Sequence, residues 1–295
     1  MSLPTLASVA ELTETLRRGA YLADRGLATA VFVALSLRRP ILLEGEPGVG
    51  KTEIAKVLAA VLGRDLIRLQ CYEGIDTNQA VYEWDYARQL LQIRALSEGR
   101  TAEDGDTALD QLFGPRFLLE RPLLDAVRTG DGAVLLIDEI DRADDEFEAF
   151  LLELLSDFQI SIPEVGTITA ARPPLVVLTS NRTRELHDAL KRRCLYHWID
   201  YPSAEREIEI VTVRQPGVSR ELARKVVAAV HRLREMDLAK PPGVAETLDW
   251  AQTLDFLGES GLTAEAADLT LGSVLKDRED LELARANLDE ITSTA

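Results

Sequence analysis

Residues 41–52 read ILLEGEPGVGKT, and this stretch decides the fold. It opens with a short apolar run, residues 45–52 match the pattern G-x-x-x-x-G-K-[ST], and residues 52–62 then repeat apolar side chains at helical spacing. A strand, a glycine-rich loop and a helix in this order predict a phosphate-binding loop, because backbone N–H groups and the helix N-terminus can surround phosphate oxygens. The alternative is a glycine-rich turn without a ligand.

The residues of this loop have predicted roles toward a nucleoside triphosphate. Lys51 reaches the β and γ phosphates, and the Thr52 hydroxyl coordinates Mg²⁺. The backbone that surrounds the phosphates comes from the five residues before Lys51, namely Glu46, Pro47, Gly48, Val49 and Gly50. The loop therefore predicts a nucleoside triphosphate and Mg²⁺ as ligands.

The fold class follows from how short apolar runs alternate with helical patterns. Four further runs of this kind are found at residues 66–69, 133–137, 175–178 and 195–199. Strands that are buried on both faces and alternate with helices predict a parallel, doubly wound α/β sheet. Because the pattern is helical only from residue 203 onward, we expect an α/β core at residues 1–202 and a smaller all-α domain at residues 203–295.

Two carboxylates, Asp138 and Glu139, follow directly after the apolar run at residues 133–137. In an open α/β sheet, ligands bind at the carboxyl ends of the strands. Asp138 is therefore predicted to hold Mg²⁺ and Glu139 to polarise an attacking water. The alternative is an acidic helix cap, because four more acidic residues follow within seven positions: Asp141, Asp144, Asp145 and Glu146.

Two later signals are weaker when taken alone. The apolar run at residues 175–178 ends in the polar residues Thr179, Ser180 and Asn181. There the Asn181 amide could orient the hydrolytic water or simply form a turn. Arg192 and Arg193 belong to a basic cluster just before the last predicted strand. Such a cluster is usually a solvated surface, although an arginine supplied to a nucleotide site from outside can raise turnover by about 10³- to 10⁵-fold.

Two segments interrupt the alternation of strands and helices. The first is an insertion at about residues 72–121, in which Tyr82, Trp84 and Tyr86 alternate with charged residues as in a half-exposed strand, followed by an acidic loop at residues 97–110. The second, at about residues 158–170, has the apolar and turn residues of a β-hairpin.

Composition excludes several classes of protein. The chain has 295 residues, with 33 Lys plus Arg against 50 Asp plus Glu, and the resulting net charge of −17 opposes binding to nucleic acid. With only Cys71 and Cys194, the chain has too few cysteines for a disulfide framework or a zinc site. No apolar run approaches the roughly 20 residues of a membrane span, and the first residues lack the pattern of a signal peptide, so we expect a cytoplasmic protein.

The order of these motifs resembles that of the AAA+ ATPases. Within that group GEPGVGKT, LLIDEIDRA and LKRRCLYHWIDYP resemble the MoxR branch, and the resemblance extends over about residues 27–257. More narrowly, LQCYEGIDTNQAVYEWDYARQLLQIR, FLLERPLLDAV and KPPGVAETLDW resemble the CoxD-like members. Those members are associated with maturation of molybdenum-containing carbon monoxide dehydrogenase and related hydroxylases.

The resemblance implies a P-loop NTPase core of three layers, followed by a helical lid, with ATP and Mg as cofactors. Its site would comprise the Walker A pair Lys51 and Thr52, the Walker B pair Asp138 and Glu139, Asn181 as sensor 1, and Arg193, or else Arg192, as the arginine finger. The family forms rings, usually hexamers, in which the finger completes the neighbouring subunit's site.

The resemblance also implies partners. These are other copies of the chain, a protein with a von Willebrand factor A domain, and a client metalloenzyme. The insertion at residues 72–121 resembles the helix-2 insertion and the hairpin at residues 158–170 the pre-sensor-1 hairpin, both of which face partners or the pore. Trp84 and Tyr86 are therefore either substrate contacts or ordinary packing residues of a hairpin.

One departure from the family concerns the lid. Many AAA+ lids carry a sensor-2 arginine at the start of a lid helix, whereas Ala245 stands at the corresponding position here. We therefore expect ATP to bind, but the way in which the lid senses the γ-phosphate is left open.

These observations favour a MoxR-type AAA+ ATPase that remodels a client protein or helps to load its metal cofactor. A first alternative is a P-loop kinase or nucleotide switch that acts as a monomer. A second is a nucleotide-stabilised scaffold with little hydrolysis. A DNA-remodelling function comes third, because the net charge of −17 opposes it.

Overall fold

The computed structural model describes residues 6–97 and 114–293. A five-stranded sheet has the order β2-β5-β8-β1-β9, and two hairpins pair β3 with β4 and β6 with β7. The strands are β1 (Ile41–Gly45), β2 (Asp65–Gln70), β3 (Tyr82–Trp84), β4 (Leu118–Glu120), β5 (Ala133–Asp138), β6 (Gln159–Ile162), β7 (Gly166–Thr169), β8 (Leu175–Ser180) and β9 (Leu195–Ile199).

Helices separate the sheet strands and form the whole C-terminal part of the described chain. They are α1 (Val9–Arg18), α2 (Arg25–Leu37), α3 (Lys51–Leu62), α4 (Thr77–Ala80), α5 (Tyr86–Ser97), α6 (Pro122–Thr129), α7 (Asp145–Asp157), α8 (Asp188–Arg193), α9 (Ala204–Arg214), α10 (Arg220–Glu235), α11 (Val244–Phe256), α12 (Ala264–Val274), α13 (Arg278–Ala286) and α14 (Leu288–Thr292). None of the described helices is long and apolar enough to cross a membrane.

The parallel sheet that the sequence predicts is confirmed. β2 pairs with β5, β5 with β8, and β8 with β1, all in parallel. Every residue of β1, β5 and β8 is buried, which explains why these strands are apolar runs rather than alternating patterns.

The chain divides into two compact units. One comprises Met1–Leu12, Arg25–Glu44 and Leu58–His197, and the other comprises Thr13–Asp24, Gly45–Val57 and Trp198–Ala295. The residues of the glycine-rich loop are thus grouped with the C-terminal helices. The domain boundary that we place between residues 202 and 203 stays a prediction.

Each unit has its own apolar core. In the first, side chains of the sheet pack with α6, with α7 and with the β6–β7 hairpin. In the second, α9 to α14 enclose a core that includes Trp250, Leu254 and Leu271. Helices α9, α10, α12 and α13 each begin after an N-cap whose side chain accepts a backbone N–H: Ser203, Ser219, Thr263 and Asp277.

The insertion differs in part from its prediction. β3 ends at Trp84 and pairs antiparallel with β4, which the sequence analysis does not predict. The prediction that the strand pattern continues to Tyr86 is wrong. Asp85 accepts the Arg88 N–H, and α5 begins at Tyr86. Trp84 is buried, whereas Tyr86 is exposed. Residues 98–110 of the predicted acidic loop lie outside the described residues.

The second predicted hairpin is confirmed. β6 and β7 pair antiparallel from Gln159 opposite Thr169 to Ile162 opposite Gly166. Ile160 and Ile162 are buried on the core side, and Ser161 bonds to Thr167 across the strands on the exposed side. This alternation fixes the register of the hairpin.

The helical core makes a prediction about stability. Leu271 and Leu269 lie on α12, with 0% and 78% of their surface exposed. We expect Leu271→Ala to lower the free energy of unfolding by about 2–5 kcal/mol, because it leaves a cavity. Leu269→Ala should change that free energy by less than about 0.5 kcal/mol. Urea unfolding followed by circular dichroism measures both, and equal losses would contradict this assignment of the core.

Candidate active site

The glycine-rich loop connects β1 to α3 and is held by its own lysine. The buried Lys51 ammonium donates to the carbonyl oxygens of Gly45 at 2.6 Å and Glu46 at 2.7 Å. Gly48 has φ +74°, a conformation that L side chains rarely adopt. With α3 starting at Lys51, the loop, the lysine and a helix N-terminus together form an arrangement suited to phosphate.

The chain just before α11 contacts this loop through its backbone. The Ala245 N–H donates to the Gly48 carbonyl at 3.2 Å. A Cβ at Gly243 would lie 2.7 Å from the Pro47 carbonyl oxygen and 2.8 Å from the Gly48 Cα. At the position where the resemblance led us to expect a sensor-2 arginine, this chain has a close main-chain contact. Sequence reasoning missed Gly243, although it follows Pro241 and Pro242, and proline and glycine are residue types that commonly form turns.

Beside the loop lies a mostly apolar cavity of about 180 Å³, lined by Tyr21, Leu22, Val49, Val244 and Leu248. At its polar side Arg214 pairs with Glu53 at 2.7 Å. Burial, and then the negative charges of Asp24 and Glu53, raise the pKa of Tyr21, so its hydroxyl stays protonated. A cavity of this kind next to a phosphate loop suits a flat aromatic base. No sequence motif marked Tyr21.

The second group of predicted residues lies at the ends of β5 and β8. Asp138 is buried, with one carboxylate oxygen accepting the Thr179 hydroxyl at 2.6 Å and the other accepting Arg68. Glu139 is partly exposed and adopts the left-handed conformation, with φ 55° and ψ 50°. Its N–H donates to the Thr179 oxygen at 2.9 Å. A non-glycine residue in this conformation is uncommon and typical of functional sites.

The acidic residues after Glu139 have separate functions. Asp144, not Asp138 or Glu139, caps α7 by accepting the Phe147 N–H at 2.9 Å. Asp141 is buried and accepts the Asn181 N–H at 3.2 Å and the Thr183 N–H at 2.9 Å. Asp141 thus holds the turn that carries Asn181. The sequence analysis did not assign Asp141 this function, although it lies three residues after Asp138.

The basic cluster forms the end of α8. Arg192 and Arg193 are both exposed. Arg39 donates to the carbonyl oxygens of both at 3.2 Å, which satisfies the helix C-terminus. The Arg193 guanidinium donates to the Ser156 hydroxyl at 2.6 Å on the surface of the same unit.

The two cysteines are buried and have no reactive character. Burial, and then the nearby carboxylate of Asp138, raise the pKa of Cys71 to about 12. Burial raises the pKa of Cys194 to about 12 as well. Both thiols therefore stay protonated at neutral pH, as expected of structural cysteines.

The residues present fit a magnesium ion that is held mainly by a nucleotide. Among residues 6–97 and 114–293, no cluster of three His, Cys, Asp or Glu side chains could hold a metal by itself. The carboxylate of Asp138 nevertheless offers an oxygen donor of the kind that Mg²⁺ prefers. Mg²⁺ is usually bound through one or two carboxylates together with substrate phosphates and water.

Comparison with known proteins bears on the family of this chain. Residues 40–194, a little over half of the chain, match the family model described as AAA domain (dynein-related subfamily). The chain is 28% identical over 219 residues to Protein NorQ of Paracoccus denitrificans, covering 71% of this chain and 70% of that protein. It is 27% identical over 219 residues to Chaperone MoxR1 of Mycobacterium tuberculosis, covering 72% of this chain and 49% of that protein.

Of two further similarities, one is to a short part of a much longer protein and the other is to a solved structure. A segment covering 76% of this chain is 25% identical to von Willebrand factor A domain-containing protein 8 of Mus musculus, but covers only 12% of that protein. The solved structure of a RuvB mutant from Thermotoga maritima has a TM-score of 0.50 and 17% identity, covering 98% of this chain and 80% of that chain. The RuvB similarity shows a shared fold.

The main-chain contact at Gly243 makes a prediction about nucleotide affinity. Gly243→Ala places a methyl group against the backbone of the loop, so we expect a nucleoside triphosphate to bind at least about tenfold more weakly, since about 1.4 kcal/mol is enough for that change. Titration with a fluorescent triphosphate measures the Kd. Gly272→Ala is the matched control, because a Cβ at this helical glycine meets no atom within 4 Å. Unchanged affinity in Gly243→Ala would contradict the contact.

Proposed function

This chain belongs to the dynein-related subfamily of AAA domains and is an ATPase of the AAA+ class, and on that premise we propose that it is a MoxR-type enzyme that hydrolyses Mg-ATP to remodel a client protein. The observation that carries this proposal is the arrangement of Asp138, Glu139 and Asn181 at one edge of the sheet. Glu139 has its backbone held in the left-handed conformation, and Asn181 lies in a turn held by Asp141. A backbone held in this way directs the Glu139 side chain, which supports the assignment of this residue to water activation.

The proposed mechanism assigns one task to each residue. Lys51 and the loop backbone bind the phosphates, while Thr52 and Asp138 hold the magnesium ion. When bound, that ion neutralises charge that develops on the phosphate oxygens. Glu139 accepts a proton from the attacking water, whose oxygen forms a bond to the γ-phosphorus as the bond to the β–γ bridging oxygen breaks. Asn181 orients this water, and the products are ADP and phosphate.

The proposal includes assembly into a ring, with a hexamer as the expected state. The exposed arginines at the end of α8 support it, because a side chain that completes a neighbouring subunit's site has to lie on the surface; Arg193, or else Arg192, is the proposed finger. A guanidinium supplied in this way stabilises charge in the transition state. The names of two relatives support the proposals that this chain acts as a chaperone and that it works with a von Willebrand factor A domain protein. MoxR1 is named a chaperone, and the mouse relative is named for a von Willebrand factor A domain.

The identity of the client protein is the most specific part of the proposal. Resemblance to the CoxD-like members favours a metalloenzyme, such as a molybdenum hydroxylase, with a von Willebrand factor A domain protein linking it to the ring. The backbone contact that stands where a sensor-2 arginine is expected favours a second candidate, a nucleotide-stabilised scaffold with little hydrolysis.

Hydrolysis is tested by two substitutions. We expect Glu139→Gln to keep ATP binding while turnover falls by about 10²- to 10⁴-fold, because the amide cannot accept the proton. Lys51→Ala should lose binding itself. Phosphate release and equilibrium binding measure these effects, with Glu153→Gln, an exposed glutamate on α7, as the control. Full turnover in Glu139→Gln would contradict the base assignment, whereas slow turnover in the wild type would favour the scaffold.

Assembly is tested by mixing variants. Arg193→Ala lacks the finger and Lys51→Ala lacks the nucleotide, so each alone should be inactive. Mixing them should restore part of the turnover if the finger acts between subunits, because Lys51→Ala subunits supply Arg193 to intact sites. Turnover per subunit should also rise with wild-type concentration. A rate that is flat in the monomer and indifferent to Arg193→Ala and Arg192→Ala would favour the monomeric kinase or switch.

A further inference from the structure

We propose that Thr179 is a positioning residue for ATP hydrolysis, whose hydroxyl holds Asp138 and Glu139 in their working orientations. This inference rests on the proposed function, in which those two carboxylates bind magnesium and activate water. Residues 179–181 form the polar end of β8, and the sequence analysis gives a chemical role to Asn181 alone among them. Thr179 acts through Asp138 and Glu139.

The geometry places a single hydroxyl between the two carboxylate residues. Thr179 lies on β8 and is 1% exposed. Since Ile137 of β5 pairs with Leu178 of β8, the next residues along the two strands, Asp138 and Thr179, come to lie side by side. The hydroxyl donates to Asp138 Oδ1 at 2.6 Å and accepts the Glu139 N–H at 2.9 Å. Because a hydroxyl has a single proton to donate, the Thr179 hydroxyl uses that proton in its hydrogen bond to Asp138.

The bond to Glu139 acts on its backbone. A non-glycine residue keeps a left-handed conformation only where its surroundings hold it there. Glu139 has φ 55°, and its N–H would be left without this partner if the hydroxyl were removed. Its side chain is otherwise held by an ion pair with the exposed Arg142, at 3.3 Å. The orientation of the Glu139 carboxylate therefore depends on the hydrogen bond from the Glu139 N–H to the Thr179 hydroxyl oxygen.

The bond to Asp138 acts on the carboxylate itself. Oδ1 accepts from Thr179 on one neighbouring strand, and Oδ2 accepts from Arg68 on the other, β2, with which Asp138 is also in register. Without the Thr179 hydroxyl, Asp138 loses its bond to β8 and keeps the bond from Arg68 on β2. We expect it then to turn toward the guanidinium and to bind magnesium less well.

The experiment compares side chains that differ by the hydroxyl. Thr179→Val keeps the shape and loses the hydroxyl, whereas Thr179→Ser keeps the hydroxyl and loses a methyl group. In steady-state hydrolysis we expect kcat to fall about 10- to 100-fold in Thr179→Val, the range found when groups that orient a metal ligand are removed. The KM for ATP should stay near the wild-type value, and half-maximal turnover should need more magnesium. Thr179→Ser should restore most of kcat and the magnesium dependence.

A matched control separates positioning from mere stability. Thr270 in the second unit is also buried, and its hydroxyl likewise donates one bond, to the Ala266 carbonyl at 2.6 Å, and accepts another, from the Trp250 Nε1–H at 2.7 Å. Thr270→Val should lower the Tm without lowering kcat or shifting the magnesium dependence. If Thr179→Val fails to fold, Thr179→Ala against Thr179→Ser gives the same comparison, because these two variants also differ by the hydroxyl alone.

Each outcome decides between the proposals. Wild-type kcat in Thr179→Val, equal kcat in the Ala and Ser variants, or an equal loss of kcat in Thr270→Val overturns the inference about Thr179. Glu139→Gln is measured alongside. If Glu139→Gln itself keeps full turnover, the proposed function fails. If it is inactive while Thr179→Val is fully active, only the inference about Thr179 fails.

Discussion

Burial of β1, β5 and β8 on both faces is the constraint on which the site depends. Strands in this environment carry apolar side chains along their length, so their polar groups appear where they end. Because the strands are parallel, those ends lie at one edge of the sheet. Glu44, Asp138 and Ser180 occupy this edge, at the ends of β1, β5 and β8.

Every one of these buried polar groups has partners, as their desolvation requires. Glu44 accepts from the Ser180 hydroxyl at 3.1 Å and from the Tyr196 hydroxyl at 3.0 Å. Asp138 is held from both neighbouring strands, and Asp141 holds the turn after β8. Hydrogen bonds between strand ends therefore orient the groups that we propose to be catalytic, before any nucleotide is considered.

Buried ion pairs hold the chain further from the sheet edge. Arg184 bonds to the buried Glu148 on α7 and to the Ala143 carbonyl, which ties the chain after Asn181 to α7. In the helical unit, Arg234 makes two bonds to the buried Glu207, at 2.7 and 2.8 Å. Removing the arginine from either pair would leave a buried carboxylate without its counter-charge, a change that is strongly destabilising.

What the sequence determined by itself is local. The glycine-rich loop, the apolar runs of the five sheet strands, the β6–β7 hairpin and the helical end are all short patterns, and each forms where it is predicted. The AAA+ class also follows from motifs a few residues long. Only the tertiary structure decided that β3 pairs with β4 and that Thr179 and Asp141 hold the ends of β5 and β8. It also decided, within the other unit, that Gly243 packs on the glycine-rich loop and that Tyr21 lines the cavity beside it. These contacts join residues far apart in the chain, and they depend on the strand order β2-β5-β8-β1-β9 and on the folding of distant helices, which no local periodicity encodes.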